Sequence, residues 1–266
     1  MNWKDKVVLV TGSCSGLGLE LNRQFLLMGA KVVYHSRSGS KPLNAFALDA
    51  VQQGKAIHLQ GDVQSYDANV KLVEETIGFY GRLDVLINNA GISSVGSLEE
   101  TEVQTLNEVF FSNLMAGLYL SKIAIPHLKH SAGKIYFISS LAAFYGLPNY
   151  LSYSSSKVAL KTAQEALSAE LKPQGISVGI IYLPFVQNDQ TKYTLNEKGE
   201  KVEVPQRNKR LLLSQSEAAT RIIKAISRSR QRVYPSLTAY IYKTLNQYFP
   251  RLVSWLVNRN YKKQRA

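Results

Sequence analysis

Val7 to Val10 form an unbroken β-branched and leucine run, the pattern of a strand buried on both faces. Leu17, Leu21, Phe25 and Met28 then recur at helical spacing, Gly29 closes that helix, and Lys31–Tyr34 opens a second strand. The same alternation predicts strands at 56–59, 83–87, 134–138 and 176–183, with helices at 66–80, 102–128 and about 151–171. Strands alternating with helices imply an α/β architecture with a parallel, doubly wound sheet, whose ligands bind beyond the carboxyl ends of the strands.

From about residue 187 the pattern weakens. Residues 191–210 are polar and charged, and Asn196–Gly199 reads as a turn; the stretch is either a flexible lid over a site or a solvated surface loop. Helical spacing resumes at 216–228. The main domain is therefore expected over 1–233, with 187–215 as a substrate loop. Beyond it, Leu237, Tyr240, Ile241 and Leu245 share one helical face. Pro250 interrupts, and Leu252, Val253, Leu256 and Val257, with Trp255, form a second amphipathic stretch.

A length of 266 residues suits one large α/β domain or two small ones, and 45% hydrophobic residues argue against overall disorder. No uncharged apolar run reaches about 18 residues, so no membrane-spanning helix is expected. The short apolar run after Met1–Lys6, with an acid in its flank, does not read as a secretory signal. The single cysteine, Cys14, excludes an internal disulfide and fits a reducing, cytoplasmic setting.

Charge changes the picture of the C-terminal quarter. Residues 1–190 hold 15 Lys and Arg against 15 Asp and Glu, whereas 191–266 hold 17 against 4, so all the net charge of +13 lies there. Basic and aromatic residues around apolar helix faces suit a membrane surface. The alternatives are packing back on the protein and an oligomer contact. No nucleic-acid module is recognised.

Thr11-Gly12-Ser13-Cys14-Ser15-Gly16-Leu17-Gly18 joins the first strand to the first helix. A pyrophosphate must approach backbone N–H groups at a helix N-terminus, and glycine both clears the approach and permits the tight turn. Cys14 in this loop is either a redox-sensitive thiol or simply a small tolerated residue. Dinucleotide sites selective for a free ribose place an acid at the end of the second strand. Here that stretch reads Val33-Tyr34-His35-Ser36-Arg37-Ser38, without a carboxylate, and Arg37 offers a guanidinium suited to a 2′-phosphate. NADP(H) is inferred over NAD(H), with Ser36 and Arg37 at the phosphate; His35 is either an aid to it or an ordinary turn residue. Asp62-Val63 and Asn89-Ala90-Gly91 follow the third and fourth strands at the same sheet edge. No metal is expected.

Tyr153 and Lys157 lie one helical turn apart on one face. A phenol exchanging a proton near neutrality needs its ordinary value of about 10 lowered, and a neighbouring ammonium does that. Ser139-Ser140 ends the fifth strand, and Asn113 is a polar amide within the long helix. Thr11-Gly12-x-x-x-Gly16-x-Gly18, Asn88-Asn89-Ala90-Gly91, Asn113, Ser140 and Tyr153-x-x-x-Lys157, in this order over about residues 5–185, together resemble the short-chain dehydrogenase/reductase family.

That resemblance implies a Rossmann-type single domain, here with a basic amphipathic C-terminal extension at 234–266. It implies Tyr153 as general acid in reduction, Lys157 lowering its pKa and bonding the nicotinamide ribose, Ser140 polarising the substrate oxygen, and Asn113 holding a relay water. Thr11, Gly12, Ser15, Gly16, Leu17 and Gly18 would line the pyrophosphate, Asp62 and Val63 the adenine, Asn89, Ala90 and Gly91 the middle of the cofactor, and Pro184 and Val186 its nicotinamide end. One departure stands out: Pro184 is followed by Phe185, where the family usually has glycine, and the place of a later threonine reads Asp189, with Thr191 beyond. The expected function is reduction of a lipophilic ketone, a long-chain 3-keto lipid or a steroid-like molecule, with Phe144, Tyr145, Leu147, Phe185 and Tyr193 lining an apolar pocket. The expected partners are that substrate, a homo-oligomer and a membrane surface. The rival readings are a non-catalytic dinucleotide-binding sensor or scaffold and an enzyme of a different Rossmann class, such as an epimerase or dehydratase.

Overall fold

In this computed structural model, residues 1–37, 43–187, 192–204 and 212–265 are described. Val7–Val10 is buried at every position and forms β1, leading through the glycine-rich loop to α1 (Gly16–Leu27). There follow β2 (Lys31–Ser36), α2 (Ala45–Gln52), β3 (Ala56–Gln60), α3 (Tyr66–Tyr80) and β4 (Val85–Asn88). A continuous helical stretch comes next, α4 (Val103–Phe110), a π-helical turn (Phe111–Met115) and α5 (Ala116–Ser131). β5 (Lys134–Ser140), α6 (Leu151–Leu171) and β6 (Ser177–Leu183) complete the expected alternation. Beyond it lie a hairpin, β7 (Tyr193–Leu195) with β8 (Lys201–Glu203), then α7 (Gln215–Ser227), β9 (Arg232–Val233), α8 (Leu237–Tyr248) and α9 (Pro250–Arg265).

Seven strands form one parallel sheet in the order β3-β2-β1-β4-β5-β6-β9. The chain leaves β1 toward β2 on one side and returns to β4 on the other, so the order reverses beside β1. The carboxyl edge at that reversal is where an open α/β sheet forms its ligand crevice. Strand pleating divides the core in two: Val8 and Val10 pack with α1, α2 and α7, while Val7 and Leu9 pack with α3, α5 and α6.

Some features depart from the sequence pattern. β2 runs on to Ser36, so His35 and Ser36 are strand residues rather than turn residues. α2, β9 and the β7–β8 hairpin were not evident, because α2 and β9 are short and the hairpin is polar. The Asn196–Gly199 turn is there: Asn196 N–H donates to Glu200, and Gly199 has φ +77°. Of the expected substrate loop, residues 188–191 and 205–211 lie outside the described residues, as do Ser38 and the departure at Asp189 and Thr191. Finally, Val103–Ser131 is long and apolar enough to cross a membrane, although the sequence showed no uninterrupted apolar run. Its apolar face is the inner wall of a layer, with Leu120, Ala124 and Leu128 buried against the sheet.

Candidate active site

The glycine-rich loop is shaped by its neighbours. Thr11 Oγ1 accepts from the N–H groups of Asn89 (3.0 Å) and Ala90 (2.9 Å), and Asn89 Nδ2 donates to the Thr11 carbonyl at 2.8 Å. The exits of β1 and β4 are thereby tied together at the point where the sheet order reverses. Gly12 (φ +61°) and Gly16 (φ +56°) occupy the left-handed region that disfavours a side chain. A Cβ on Gly18 would stand 2.6 Å from the Gly12 carbonyl oxygen, so α1 can seat against the loop only with glycine there. Ser15 makes no side-chain cap at the start of α1, and no acid stands in its first turn. Leu17 is half-buried against the core and anchors that first turn. Helix-end N–H groups left without a side-chain cap at a crevice fit an anion such as a pyrophosphate.

His35 is the residue whose role the sequence concealed. Its ring is 2% exposed; Nδ1 accepts from Gly12 N–H at 3.2 Å and Nε2–H donates to the Gly61 carbonyl at 3.0 Å. Burial pushes its pKa down to about 4, so the ring is neutral and the Gly12 bond requires it to be. His35 therefore braces the glycine-rich loop against the exit of β3 and is not a phosphate ligand. Beside it, the Ser36 hydroxyl lies 3.0 Å and Cys14 Sγ 3.5 Å from His58 Nε2, and burial lowers the His58 pKa too. Arg37 follows β2 as expected and pairs with Glu108 of α4 at 3.6 Å, both half-exposed. An exposed pair of this kind is worth about 0–1 kcal/mol, so an incoming phosphate could take the guanidinium at little cost. Asp62 holds the turn after β3 by accepting from Gln64 N–H, and the Val63 carbonyl accepts from buried Asn69.

The catalytic candidates gather at the exits of β4 and β5. Lys157 is buried on α6, with its Nζ donating to the Ile138 carbonyl at 2.9 Å and standing 5.9 Å from the centre of the Tyr153 ring. Burial, with a smaller effect from the charge of Lys192, pushes its pKa down to about 8, which leaves it mostly charged at neutral pH. Ser139, immediately before the candidate Ser140, donates to the Lys157 carbonyl at 2.8 Å and fastens α6 to β5. Ser140 Oγ accepts from Ala142 N–H, which leaves its own hydroxyl hydrogen for another acceptor. Tyr153 is half-buried, one turn before Lys157.

Asn113 sits in the π-helical turn. Its Oδ1 accepts from Ile92 N–H at 2.9 Å, and its Nδ2 donates to the Ile92 carbonyl (2.9 Å) and to Ser156 Oγ (3.0 Å). Both amide hydrogens are thus committed to protein, so a relay water could meet this side chain only by donating to Oδ1. A Cβ on Gly91 would meet Asn113 Oδ1 at 2.6 Å and Lys157 Nζ at 3.3 Å, which places these three residues in one corner. Pro184 is buried after β6, and Val186 bridges to Leu213.

Two groups missed by sequence reasoning complete the surroundings. Ser156 clamps Asn113; a serine three residues past the tyrosine carries no signal of that. The hairpin is stitched to the exit of β4, where Leu195 N–H donates to the Ser93 carbonyl, Val95 N–H to the Leu195 carbonyl, and Ser93 Oγ to Thr194 Oγ1. Of the expected pocket aromatics, Phe144 stacks instead against Tyr182 and Tyr234.

Comparison with known proteins gives the family and the fold. The family model for short chain dehydrogenases matches residues 6–199. An 11-beta-hydroxysteroid dehydrogenase-like protein of Arabidopsis thaliana is 35% identical over 192 residues, 71% of this chain, and the match spans 62% of that relative's own length. Another protein of Arabidopsis thaliana, 11-beta-hydroxysteroid dehydrogenase 1A, is 30% identical over a match that covers 96% of this chain and 75% of the relative. The crystal structure of a short chain dehydrogenase from Burkholderia cenocepacia in complex with NADP superposes with a TM-score of 0.80, covering 97% of this chain and 99% of that one at 21% identity, which shows the same fold. The family model spans most of the chain and the sheet order agrees with it, and the chain belongs to the short-chain dehydrogenase/reductase family.

Proposed function

We propose that this protein is an NADP(H)-dependent oxidoreductase that interconverts a carbonyl and a secondary alcohol, working as a reductase on a lipophilic ketone. The observation that carries the reading is the corner in which Gly91, Asn113 and Lys157 meet, one helical turn from Tyr153. A bound NADPH would supply a hydride to the carbonyl carbon. The chain's own residues handle the oxygen. The Ser140 hydroxyl donates to the carbonyl oxygen and polarises it. The Tyr153 hydroxyl delivers the proton, and the Lys157 ammonium, fixed by the Ile138 carbonyl, favours the phenolate that remains. Asn113 holds the Ile92 backbone and so positions the floor of the site.

NADP(H) is supported by Ser36 and Arg37 at the end of β2, a stretch that carries no carboxylate of its own; Glu108 of α4, which pairs with Arg37, would have to give way to the 2′-phosphate. A lipophilic substrate is supported by the names of the steroid dehydrogenase relatives and by the apolar C-terminal helices beside the site. The test is steady-state turnover of ketones of graded chain length with NADPH and with NADH. The expected result is turnover that rises with hydrophobicity and kcat/KM at least about tenfold higher with NADPH. Arg37→Ala should erase about tenfold of that preference, the worth of one charge-assisted phosphate contact. Equal use of NADH by the unaltered protein contradicts the cofactor assignment.

A further inference from the structure

After Glu217 the chain contains eleven Lys and Arg residues and not one Asp or Glu. Six of those cations lie in 234–266, the segment that forms α8 and α9. These helices face the wrong way for water. α8 is held to the protein through fully buried Ala239, through Asn246 Nδ2 donating to the Phe144 carbonyl, and through the edge of Tyr240 on Tyr234. On the opposite side of the same helix, Leu237, Ile241 and Tyr248 are 73%, 45% and 65% exposed. α9 repeats the arrangement. Val253 is buried and Tyr261 Oη reaches Asn149, while Leu252, Trp255 and Leu256 face outward, with the Arg259 guanidinium 5.2 Å from the centre of the Trp255 ring. By contrast α7, an ordinary surface helix, exposes Glu217, Thr220, Arg221 and Lys224.

Charge decides what could cover such a surface. A second copy of the chain would bring two wholly basic segments together with no acid on either side to pair them, and the repulsion opposes the contact. An anionic bilayer answers both halves of the surface. Its headgroups pair Lys and Arg, and its acyl boundary takes Leu, Ile and Trp. The placement is also specific. Phe144 and Asn149, which hold the two helices, belong to the segment between Ser140 and Tyr153.

We propose that the outward faces of α8 and α9 are a membrane-docking surface for an anionic lipid bilayer, which seats the 144–149 side of the catalytic corner against the lipid. Docking itself is independent of the proposed reaction. Delivery of a lipophilic ketone out of the bilayer rests on that reading.

The experiment is sedimentation of the full-length protein with vesicles of phosphatidylcholine alone and of phosphatidylcholine with about one-quarter phosphatidylserine. It is read together with tryptophan emission and with the oligomeric state in solution. Binding at least about tenfold stronger to the anionic vesicles is expected, weakening with salt and accompanied by a blue shift from Trp255, since Trp3 is already buried. Ile241→Glu and Leu256→Glu, both at exposed positions, should abolish sedimentation while leaving the melting temperature and the turnover of a water-soluble ketone unchanged. Equal binding to both vesicles, binding that survives both substitutions, or a dimer in solution that either substitution dissolves would overturn the proposal. Because sedimentation does not depend on turnover, a protein that docks without reducing any ketone refutes the reaction and not the surface.

Discussion

A Cβ on Gly91 would stand 2.6 Å from Asn113 Oδ1 and 3.3 Å from Lys157 Nζ. The lysine can shift its flexible end, but the Asn113 carboxamide is held at three points and cannot turn aside. Gly91→Ala should therefore displace Asn113, costing about 1–3 kcal/mol of stability and at least tenfold in kcat/KM. Gly78→Ala is the matched control: nothing lies within 4 Å of its added methyl, and in the last turn of α3 it should gain about 0.5 kcal/mol. Thermal unfolding and steady-state kinetics of the two variants separate these outcomes, and full activity in Gly91→Ala would contradict the crowded corner. At this scale the sequence was legible where a residue type is rare for its setting. An amide within an apolar helix marked Asn113, and a tyrosine one turn from a lysine marked the proposed acid and its cation. It was not legible for Ser156 or His35, which bond through contacts between segments distant in the chain.

Elements at the sheet edge are braced by one another, and His35 is the clearest case. It lies on β2, accepts from the loop after β1 and donates to the turn after β3. The sequence suggested a turn residue because a histidine beside Ser36-Arg37 looks polar and terminal; the strand instead continues through it. Its native pKa of about 4 lies below the ordinary value of 6.5, so as pH falls the unfolded chain takes up a proton before the native protein does. Stability is therefore lost between about pH 6.5 and pH 4 and is fully present above that window. Between pH 7 and pH 5 the loss from this group should be about 2 kcal/mol, measurable by urea unfolding. His35→Asn should unfold with a correspondingly flatter acid limb, and an unaltered limb would show that His35 is not the titrating group. The long helix follows the same logic. Apolar periodicity gave its extent, but not the π-helical turn at Phe111–Met115, whose Asn113 bonds Ile92 and Ser156 across the fold.

For the whole molecule, strand alternation was enough to give the parallel sheet and the edge on which a site would form. Strands buried in a parallel sheet are near-continuously apolar, and Val7–Val10 and the runs at 135–138 and 180–183 are. The polar hairpin β7–β8 escaped because three-residue strands carry no period, and it is held by bonds to residues 93–95 rather than by its own core. The charge asymmetry was plain in the sequence; the outward turn of the apolar faces of α8 and α9 was not, since periodicity shows that a face exists and not where it points. The proposed reaction turns on Tyr153 giving its proton to a carbonyl in this corner. It is tested most directly by NADPH oxidation with a hydrophobic ketone, the unaltered protein beside Tyr153→Phe, with NADPH binding measured on both. Binding within about threefold and a fall in kcat of at least about a hundredfold are expected, the scale of a lost general acid. Turnover retained within tenfold in Tyr153→Phe would contradict it.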